Sequence, residues 1–388
     1  MLKIDDYNKI KKNLEQNAID MYNNPELGDE EFESMKMLVS ELEKYNFDVE
    51  TNIVGRPTAF KAVYDSNKPG PTIAYLAEYD ALLGLGHACG HNLIGNMAVG
   101  AAILLSEHLE TLGGRVMVLG TPAEETNGAK VPMAKEGIFD DVDVALMVHP
   151  ADESSESGPM LAMDAIQYDF YGKASHAAGA PDEGINALDG VLQLFNGINA
   201  IREHLKDDVR IHGIITKGGD AANVTPDHAT AQFYIRASER EYLDTVVEKV
   251  ENIAKGAALM TGATVEISNY ELSYDNMVHN EPLSQLFTKH LKKVSPHPVK
   301  PKTKSTGSAD IGDVSQVVPA LHPYVGMNCP GVKFHTNEFR EQTITPDGFQ
   351  ALQDAVLALA NTGYELLENK EVFDAVEQAF KEAKSNEY

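Results

Sequence analysis

Apolar residues recur at spacings of three and four along the first 45 residues of the chain. This spacing places them on one face of an α-helix, which predicts two successive amphipathic helices. Pro25 and Gly28 lie between the two runs and separate the helices. The apolar positions are Ile10, Leu14, Ile19 and Met21 in the first helix, and Phe32, Met35, Leu38, Val39 and Leu42 in the second.

Four short apolar runs then predict strands of a buried sheet. Each run is β-branched or flanked by turn residues, and together they cover 59–64, 72–76, 116–120 and 144–148. A stretch rich in Ala, Leu and Gly at 94–109 predicts a helix among them. Because strands that alternate with helices favour parallel pairing, we expect an α/β fold with a mostly parallel sheet flanked by helices.

The order of elements changes near residue 166. Strands are predicted at 166–171, 209–216, 229–237 and 264–270, and helices at 186–204 and 241–261. This β-α-β-β-α-β order is typical of a ferredoxin-like α+β fold. Helix–strand alternation returns after residue 279, and a long helix from Pro346 ends the chain. We therefore predict one domain formed by 1–165 and 276–388, with a smaller domain inserted at 166–275.

Composition and charge narrow the classes of function. The 388 residues are 43% hydrophobic and 23% charged, which is ordinary for a globular protein. The 32 basic and 59 acidic residues leave a formal charge of −27, which would repel nucleic acids and anionic membranes. Two cysteines cannot form a disulfide framework, and no apolar run reaches the roughly 18 residues of a membrane span. We therefore expect a cytoplasmic protein that binds neither nucleic acids nor membranes.

Side chains that can bind metals follow three successive predicted strands. The carboxyl ends of parallel strands meet at one edge of a sheet, so these side chains should lie close together. Taken singly, each has an ordinary structural explanation, such as a hydrogen-bonded histidine, a small buried cysteine or a solvated glutamate pair. Together they form a donor set suited to a divalent transition metal. The side chains are Glu78, Asp80, Cys89, His91, Glu124, Glu125 and His149, and a later candidate is His335.

These motifs resemble the dinuclear zinc aminoacylase/carboxypeptidase family of metallopeptidases over nearly the whole chain. Within it, the branch of N-acyl-amino-acid amidohydrolases and aminobenzoyl-glutamate hydrolase is the most similar. The matching segments are Glu78-Tyr79-Asp80-Ala81-Leu82, His87-Ala88-Cys89-Gly90-His91, Pro122-Ala123-Glu124-Glu125, His149, Gly172-Lys173-Ala174-Ser175-His176-Ala177-Ala178, Asn223-Val224-Thr225-Pro226-Asp227 and His335.

The resemblance implies a role for each matching residue. Cys89 would bridge two divalent metal ions, with zinc favoured by the thiolate and manganese, cobalt or nickel also compatible. The other metal ligands would be His91, Glu125, His149 and His335. Glu124 would act as general base and then general acid, assisted by His176 as a second catalytic residue from the inserted domain. Substrate-binding roles are implied for Asn223, Arg236 and Ser308.

The sequence departs from the family pattern at three places. Many members carry His-x-Asp where this chain has Glu78-Tyr79-Asp80, so the first histidine is missing. Asn92 replaces the usual aspartate after His91, and Thr336 follows His335 where serine is commoner. The segment 305–310 resembles the aminobenzoyl-glutamate hydrolase group, and it either lines the substrate pocket or is an ordinary polar loop.

We therefore predict a metal-dependent amidohydrolase or peptidase that cleaves an amide bond in a dipeptide, short peptide or N-acyl amino acid. In the family the inserted domain acts as a lid and dimerisation domain, which implies a homodimer or homotetramer. Two alternatives stay open. One is a thiol hydrolase that uses Cys89 with a nearby histidine, and the other is a non-catalytic acidic binding protein that retains the fold.

Overall fold

The computed structural model describes residues 2–302 and 307–385. The chain divides into two compact units. The first takes in the described residues of Met1–Pro159, Met277–Ser305 and Ala309–Tyr388, and the second those of Met160–Asn276 and Thr306–Ser308. The functional division into a catalytic domain (1–165 and 276–388) and a lid (166–275) stays a prediction.

The described chain contains α-helices, β-strands and short 3₁₀ turns. The helices are α1 Ile4–Asn23, α2 Phe32–Glu43, α3 His91–Ser106, α4 Leu109–Leu112, α5 Glu124–Asn127, α6 Lys130–Lys135, α7 Ala187–Ile201, α8 Arg240–Thr261, α9 Glu281–Val294, α10 Ile311–Val317, α11 Asn337–Gln342, α12 Pro346–Glu368 and α13 Lys370–Ser385. The strands are β1 Asp48–Thr51, β2 Phe60–Asp65, β3 Thr72–Ala77, β4 Arg115–Gly120, β5 Val144–Leu146, β6 His149–Ala151, β7 Ser154–Ser155, β8 Ala162–Tyr171, β9 Arg210–Lys217, β10 His228–Ala237, β11 Thr264–Asn269, β12 Val299–Lys300, β13 Ala320–Leu321 and β14 Tyr324–Gly326.

The main sheet of the first unit has the order β1-β2-β4-β3-β5-β13. Strand β3 runs parallel to β4 and β5, and β13 runs parallel to β5, whereas β1 and β2 form an antiparallel edge. All six residues of β3 are buried, as the uninterrupted apolar run requires. The predicted α/β fold with a mostly parallel sheet is confirmed.

Helix α3 forms the centre of the core beside this sheet. Every residue of α3 is buried, and the helix packs against α1, α12 and β3. At Gly100 a Cβ atom would lie 2.7 Å from Leu14 and 2.9 Å from Val356, so glycine permits the close approach of three helices. No helix in 2–302 or 307–385 combines the length and apolarity that a bilayer crossing requires.

The predicted strand at 144–148 is interrupted in the structure. Strand β5 ends at Leu146, and the chain then enters a second, four-stranded sheet with the order β12-β7-β14-β6. His149 is the first residue of β6 and pairs with Tyr324 of β14. The chain therefore passes from the first sheet to the second just before His149, which is one of the candidate metal ligands.

The second unit is a four-stranded antiparallel sheet with the order β11-β8-β10-β9. Helices α7 and α8 pack against each other and supply apolar side chains to one core with the sheet. Along the chain the elements follow as β8, α7, β9, β10, α8 and β11, which confirms the predicted ferredoxin-like order.

Candidate metal centre

Strand ends and tight turns of the first unit present the predicted metal ligands. Cys89 lies in the loop between β3 and α3, and His91 is the first residue of α3. Between them, Gly90 has a positive φ of 85°, and a Cβ there would lie 2.5 Å from Pro150. Glycine is therefore required both by the backbone conformation and by the close packing of this turn.

Two further turns, which carry candidate ligands, contain non-glycine residues with positive φ. Ala123, with φ of 63°, precedes the adjacent Glu124 and Glu125 after β4. His335 itself has φ of 62°, and its backbone N–H donates to the carbonyl of Ala88 at 2.9 Å. That hydrogen bond attaches the His335 loop to the loop that carries the cysteine.

The structure brings six of the predicted side chains into one cluster. They form three overlapping groups, and within each group the potential ligand atoms lie within 4.8 Å of one another. The groups are Cys89 with His91 and His149, Cys89 with Glu125 and His335, and His91 with Glu124 and Glu125. Because Cys89 belongs to two groups, its sulfur could serve two ions.

Separations between donor atoms test whether a cation fits the cluster. Sγ of Cys89 lies 3.4 Å from Nε2 of His149, and Nε2 of His335 lies 3.4 Å from Oε1 of Glu125. Two donors of one tetrahedral ion with bonds of about 2.1 Å stand about 3.4 Å apart. Nε2 of His91 is buried and lacks a hydrogen-bond partner among the described residues. The donor set and this unpartnered nitrogen fit a divalent metal.

Neighbouring oxygen atoms orient two of the histidines. Oδ1 of Asp80 lies 3.0 Å from Nδ1 of His91, so that Nε2 of the ring faces the cluster. The carbonyl of Pro150 lies 2.7 Å from Nδ1 of His149 and can only accept, so Nδ1 carries the hydrogen. Nε2 of His149 then keeps its lone pair toward Cys89. Such contacts fix both the tautomer and the ring orientation of metal-binding histidines.

Burial and charge set the protonation of the cluster. Burial, strengthened by the nearby carboxylates of Glu78 and Glu125, raises the pKa of Glu124 well above its usual value. Burial, with His322 nearby, lowers the pKa of His149 to about 3, which keeps its imidazole neutral. Burial also raises the pKa of the Cys89 thiol. The cluster thus combines a neutral imidazole, that of the candidate ligand His149, with a carboxylate of high proton affinity.

A buried ion-pair network that sequence reasoning missed lies beside the cluster. Nζ of Lys130 lies 2.6 Å from both Oε1 of Glu78 and Oδ1 of Asp310. Burial opposes ionisation of Glu78, but Lys130 lowers the pKa of this carboxyl to about 2. Lys130 matches no motif and lies 180 residues from Asp310, which belongs to the segment 305–310, so no local sequence signal connects the two.

Asn92, one of the three departures from the family pattern, performs a packing role. Its amide donates to the carbonyl of Ala18 at 3.2 Å and to Oγ1 of Thr343 at 3.1 Å. These bonds connect α3 to α1 and to the segment that precedes α12. The side chain is fully buried in the core.

The predicted substrate-side residues all belong to the second unit. Nδ1 of His176 accepts the backbone N–H of Gly179 at 3.0 Å, and the ring is exposed. The carbonyl of Asn223 accepts the N–H of Ala177 at 3.1 Å. Nε of Arg236 and Oγ of Ser308 are buried without a hydrogen-bond partner among the described residues. Ser308 follows the residues 303–306, which lie outside the described part of the chain.

Comparison with known proteins adds a family and several relatives. The model of Peptidase family M20/M25/M40 matches residues 77–358. The mouse (Mus musculus) Xaa-Arg dipeptidase is 37% identical over 343 residues, covering 84% of this chain and 78% of that protein. A p-aminobenzoyl-glutamate hydrolase chain of Escherichia coli is 40% identical over 270 residues, 64% of this chain and 56% of that protein.

Solved structures share the fold at lower sequence identity. An aminobenzoyl-glutamate utilization protein from Klebsiella pneumoniae aligns with a TM-score of 0.73 at 21% identity, covering 94% of this chain and 99% of that one. The YXEP protein of Bacillus subtilis, a dinuclear metal-binding peptidase, aligns with a TM-score of 0.68 at 20% identity over 91% and 98% of the two chains.

Proposed function

We propose a substrate class and a mechanism for this chain, which belongs to Peptidase family M20/M25/M40 and is a hydrolase of amide bonds. The proposed substrates are dipeptides, short peptides or N-acyl amino acids. The observation that carries the proposal is the convergence of Cys89, His91, Glu124, Glu125, His149 and His335 in three overlapping donor groups.

The metal would be held by five of these residues. We propose two divalent ions, with Cys89 shared between them and His91, Glu125, His149 and His335 as the remaining ligands. The thiolate favours zinc, and the imidazole and carboxylate ligands also admit manganese, cobalt or nickel. When bound, such ions lower the pKa of a water molecule and polarise the substrate carbonyl.

Glu124 is the proposed proton carrier. Its carboxylate lies in the cluster, with Oε2 4.0 Å from Nε2 of His91, and its raised pKa gives it the proton affinity that a base requires. It takes the proton that the attacking water loses. It then delivers that proton to the amide nitrogen, because an unprotonated amine leaves poorly.

The second unit is proposed to bind the substrate. Nδ1 of His176 accepts the backbone N–H of Gly179, so in a neutral ring the hydrogen is bonded to Nε2. Nε2–H can then donate to the substrate carbonyl oxygen as its negative charge develops. Arg236 supplies a cation for a substrate carboxylate, and Asn223 and Ser308 complete the proposed contacts.

We also propose a homodimer or homotetramer formed through the second unit. Strand β9 is an edge of its sheet, and Ile214 on that strand is 63% exposed. An exposed apolar edge strand favours pairing with another chain. Light scattering would test this by a mass of two or four times 42.3 kDa, and a mass of 42.3 kDa would contradict it. The proposed setting is the cytoplasm, which low cysteine usage supports.

The test of function is a substrate panel after metal removal and reconstitution. Dialysed protein is titrated with zinc, manganese, cobalt or nickel and assayed with dipeptides, N-acyl amino acids and aminobenzoyl-glutamate. We expect hydrolysis that depends on the metal. Hydrolysis that survives chelation and is lost on thiol alkylation would favour the thiol hydrolase. Substrate binding without hydrolysis by a metal-loaded protein would favour the binding protein.

A further inference from the structure

We infer that Glu78 is a further carboxylate of the metal centre and that Lys130 and Asp310 are positioning residues that hold it there. The inference rests on the proposed metal-dependent function and adds to it a ligand group and its support. It follows from a contact between Glu78 and His91 and from the burial of a lysine that has no role in the mechanism above.

The two oxygen atoms of Glu78 face different partners. Glu78 follows β3 and is buried, with Oε1 2.6 Å from Nζ of Lys130. Oε2 lies 3.5 Å from Nε2 of His91, which has no hydrogen-bond partner among the described residues. The 3.5 Å separation matches the roughly 3.4 Å expected between two donors of one tetrahedral ion. Oε2 and Nε2 are therefore placed to share a cation.

Lys130 fixes this orientation from within the core. The residue is fully buried on α6, and its ammonium lies 2.6 Å from Oδ1 of Asp310 as well as from Glu78. Its backbone N–H donates to Oδ2 of Asp310 at 3.1 Å, so both ends of the lysine hold the same aspartate. With Oε1 of Glu78 occupied by the ammonium, the carboxylate plane cannot rotate freely, and Oε2 stays directed at His91.

The packing beside Asp310 is equally constrained. A Cβ at Gly128 would lie 2.4 Å from Oδ2 of Asp310, so only glycine lets the aspartate approach this closely. The network has two formal negative charges and one positive charge, all buried. Because an uncompensated buried charge is costly, a lysine–carboxylate pair alone would be the simpler structural solution. A bound cation beside Oε2 would offset the additional negative charge.

The first test compares Glu78→Gln with a matched control. Glutamine keeps an oxygen for Lys130 but removes the charge at Oε2. We expect Glu78→Gln to bind zinc about 10- to 100-fold more weakly, measured by competition with a chromophoric chelator. Glu41→Gln removes another buried carboxylate that lies 2.6 Å from a lysine, Lys44 of the α2 C-terminus, and should keep wild-type affinity. Wild-type zinc affinity in Glu78→Gln would overturn the inference.

The second test asks whether Lys130 acts through Glu78. We expect Lys130→Met to weaken zinc binding in the wild-type background and to cause no further loss in the Glu78→Gln background. Fully additive losses would refute the positioning role. If Lys130→Met does not fold, Asp310→Asn replaces it in the same double-mutant comparison with Glu78→Gln. This substitution weakens the ion pair with Lys130, and the asparagine side chain keeps nearly the shape of the aspartate.

These outcomes separate the inference from the proposed function. A wild-type protein that binds zinc and hydrolyses substrates, with a Glu78→Gln variant of equal affinity, would refute only the role of Glu78. A wild-type protein that binds none of the metals tested would refute the proposed function, and the inference with it.

Discussion

Oδ1 of Asp80 lies 3.0 Å from Nδ1 of His91, and Oδ2 of the same carboxylate accepts the backbone N–H of Glu125 at 3.0 Å. One buried aspartate thus orients two predicted metal ligands that come from different helices, α3 and α5. The relationship depends on both oxygen atoms being acceptors, which only the carboxylate provides.

Asp80→Asn should therefore weaken metal binding. The amide offers one oxygen and one NH₂ group, so one of its two partners loses its acceptor. We expect zinc affinity to fall about 10- to 100-fold in a chelator competition. Asp20→Asn removes a carboxylate on α1 that accepts from Gln16, and it should bind zinc as the wild type does. Equal affinity of Asp80→Asn and wild type would contradict the orienting role.

Glu124→Gln should separate proton transfer from metal binding. We expect turnover to fall by about 10²- to 10⁴-fold, because the amide cannot accept the proton of the water. Elemental analysis should show metal content near that of the wild type. Glu125→Ala should lose metal and activity together. Substantial turnover by a metal-loaded Glu124→Gln variant would refute the role of Glu124.

Local sequence pattern was sufficient for most of the fold. The continuous apolar run of β3 reflects burial on both faces of the sheet, and the alternation in β8 reflects burial on one face. The sequence therefore predicts both strands. The break between β5 and β6 was missed because β6 exists by pairing with β14, which lies far along the chain. The helix predicted at 94–109 begins at His91, since the left-handed Gly90 sets its start.

The same distinction applies to the metal centre. Cys89 and His149 follow predicted strands of one parallel sheet, so strand order alone brings them to one edge. The contact of Lys130 with Asp310 depends on how α6 packs near α10. No periodicity or motif encodes that packing, and each residue taken alone is indistinguishable in sequence from a surface charge.

His176→Ala should lower the catalytic rate without loss of metal. We expect about a 10²- to 10³-fold decrease in kcat, the usual cost of removing one hydrogen-bond donor to a developing oxyanion. His204→Ala removes another exposed histidine of the same unit and should leave kcat unchanged. A wild-type kcat in metal-loaded His176→Ala would return His176 to a structural role.

Asp354 should make stability depend on pH away from the metal centre. Burial in α12 raises the pKa of Asp354 to about 6 from an ordinary value of 3.8. The folded state therefore holds a proton that the unfolded state has released between these pH values. This contribution to stability is present below pH 3.8, is lost as the pH rises to about 6, and stays lost above it.

The variant Asp354→Asn isolates this contribution. The amide keeps an oxygen for the hydrogen bond from Nε2 of Gln350, which is 2.8 Å long, and cannot ionise. As the pH rises from about 4 to about 7.5, we expect the free energy of unfolding of the variant to increase relative to that of the wild type. The relative increase is up to roughly 3 kcal/mol, at roughly 1.36 kcal/mol per pKa unit. Urea unfolding at both pH values measures the difference. A difference between the two proteins that does not change with pH would contradict the raised pKa.

Metal binding should itself stabilise the folded chain. The cluster keeps Nε2 of His91 buried and unpartnered among the described residues, beside the carboxylates of Glu124 and Glu125. A buried polar atom without a partner and close like charges both cost free energy, and a cation offsets both. Zinc at about 100 times its Kd should add about 2.7 kcal/mol, because it binds the folded state alone. Calorimetry on chelator-treated protein should show Tm rising with free zinc in wild type and Glu41→Gln, and much less in Glu125→Ala. A Tm that is independent of zinc in the wild type would mean that the folded chain does not bind the ion preferentially.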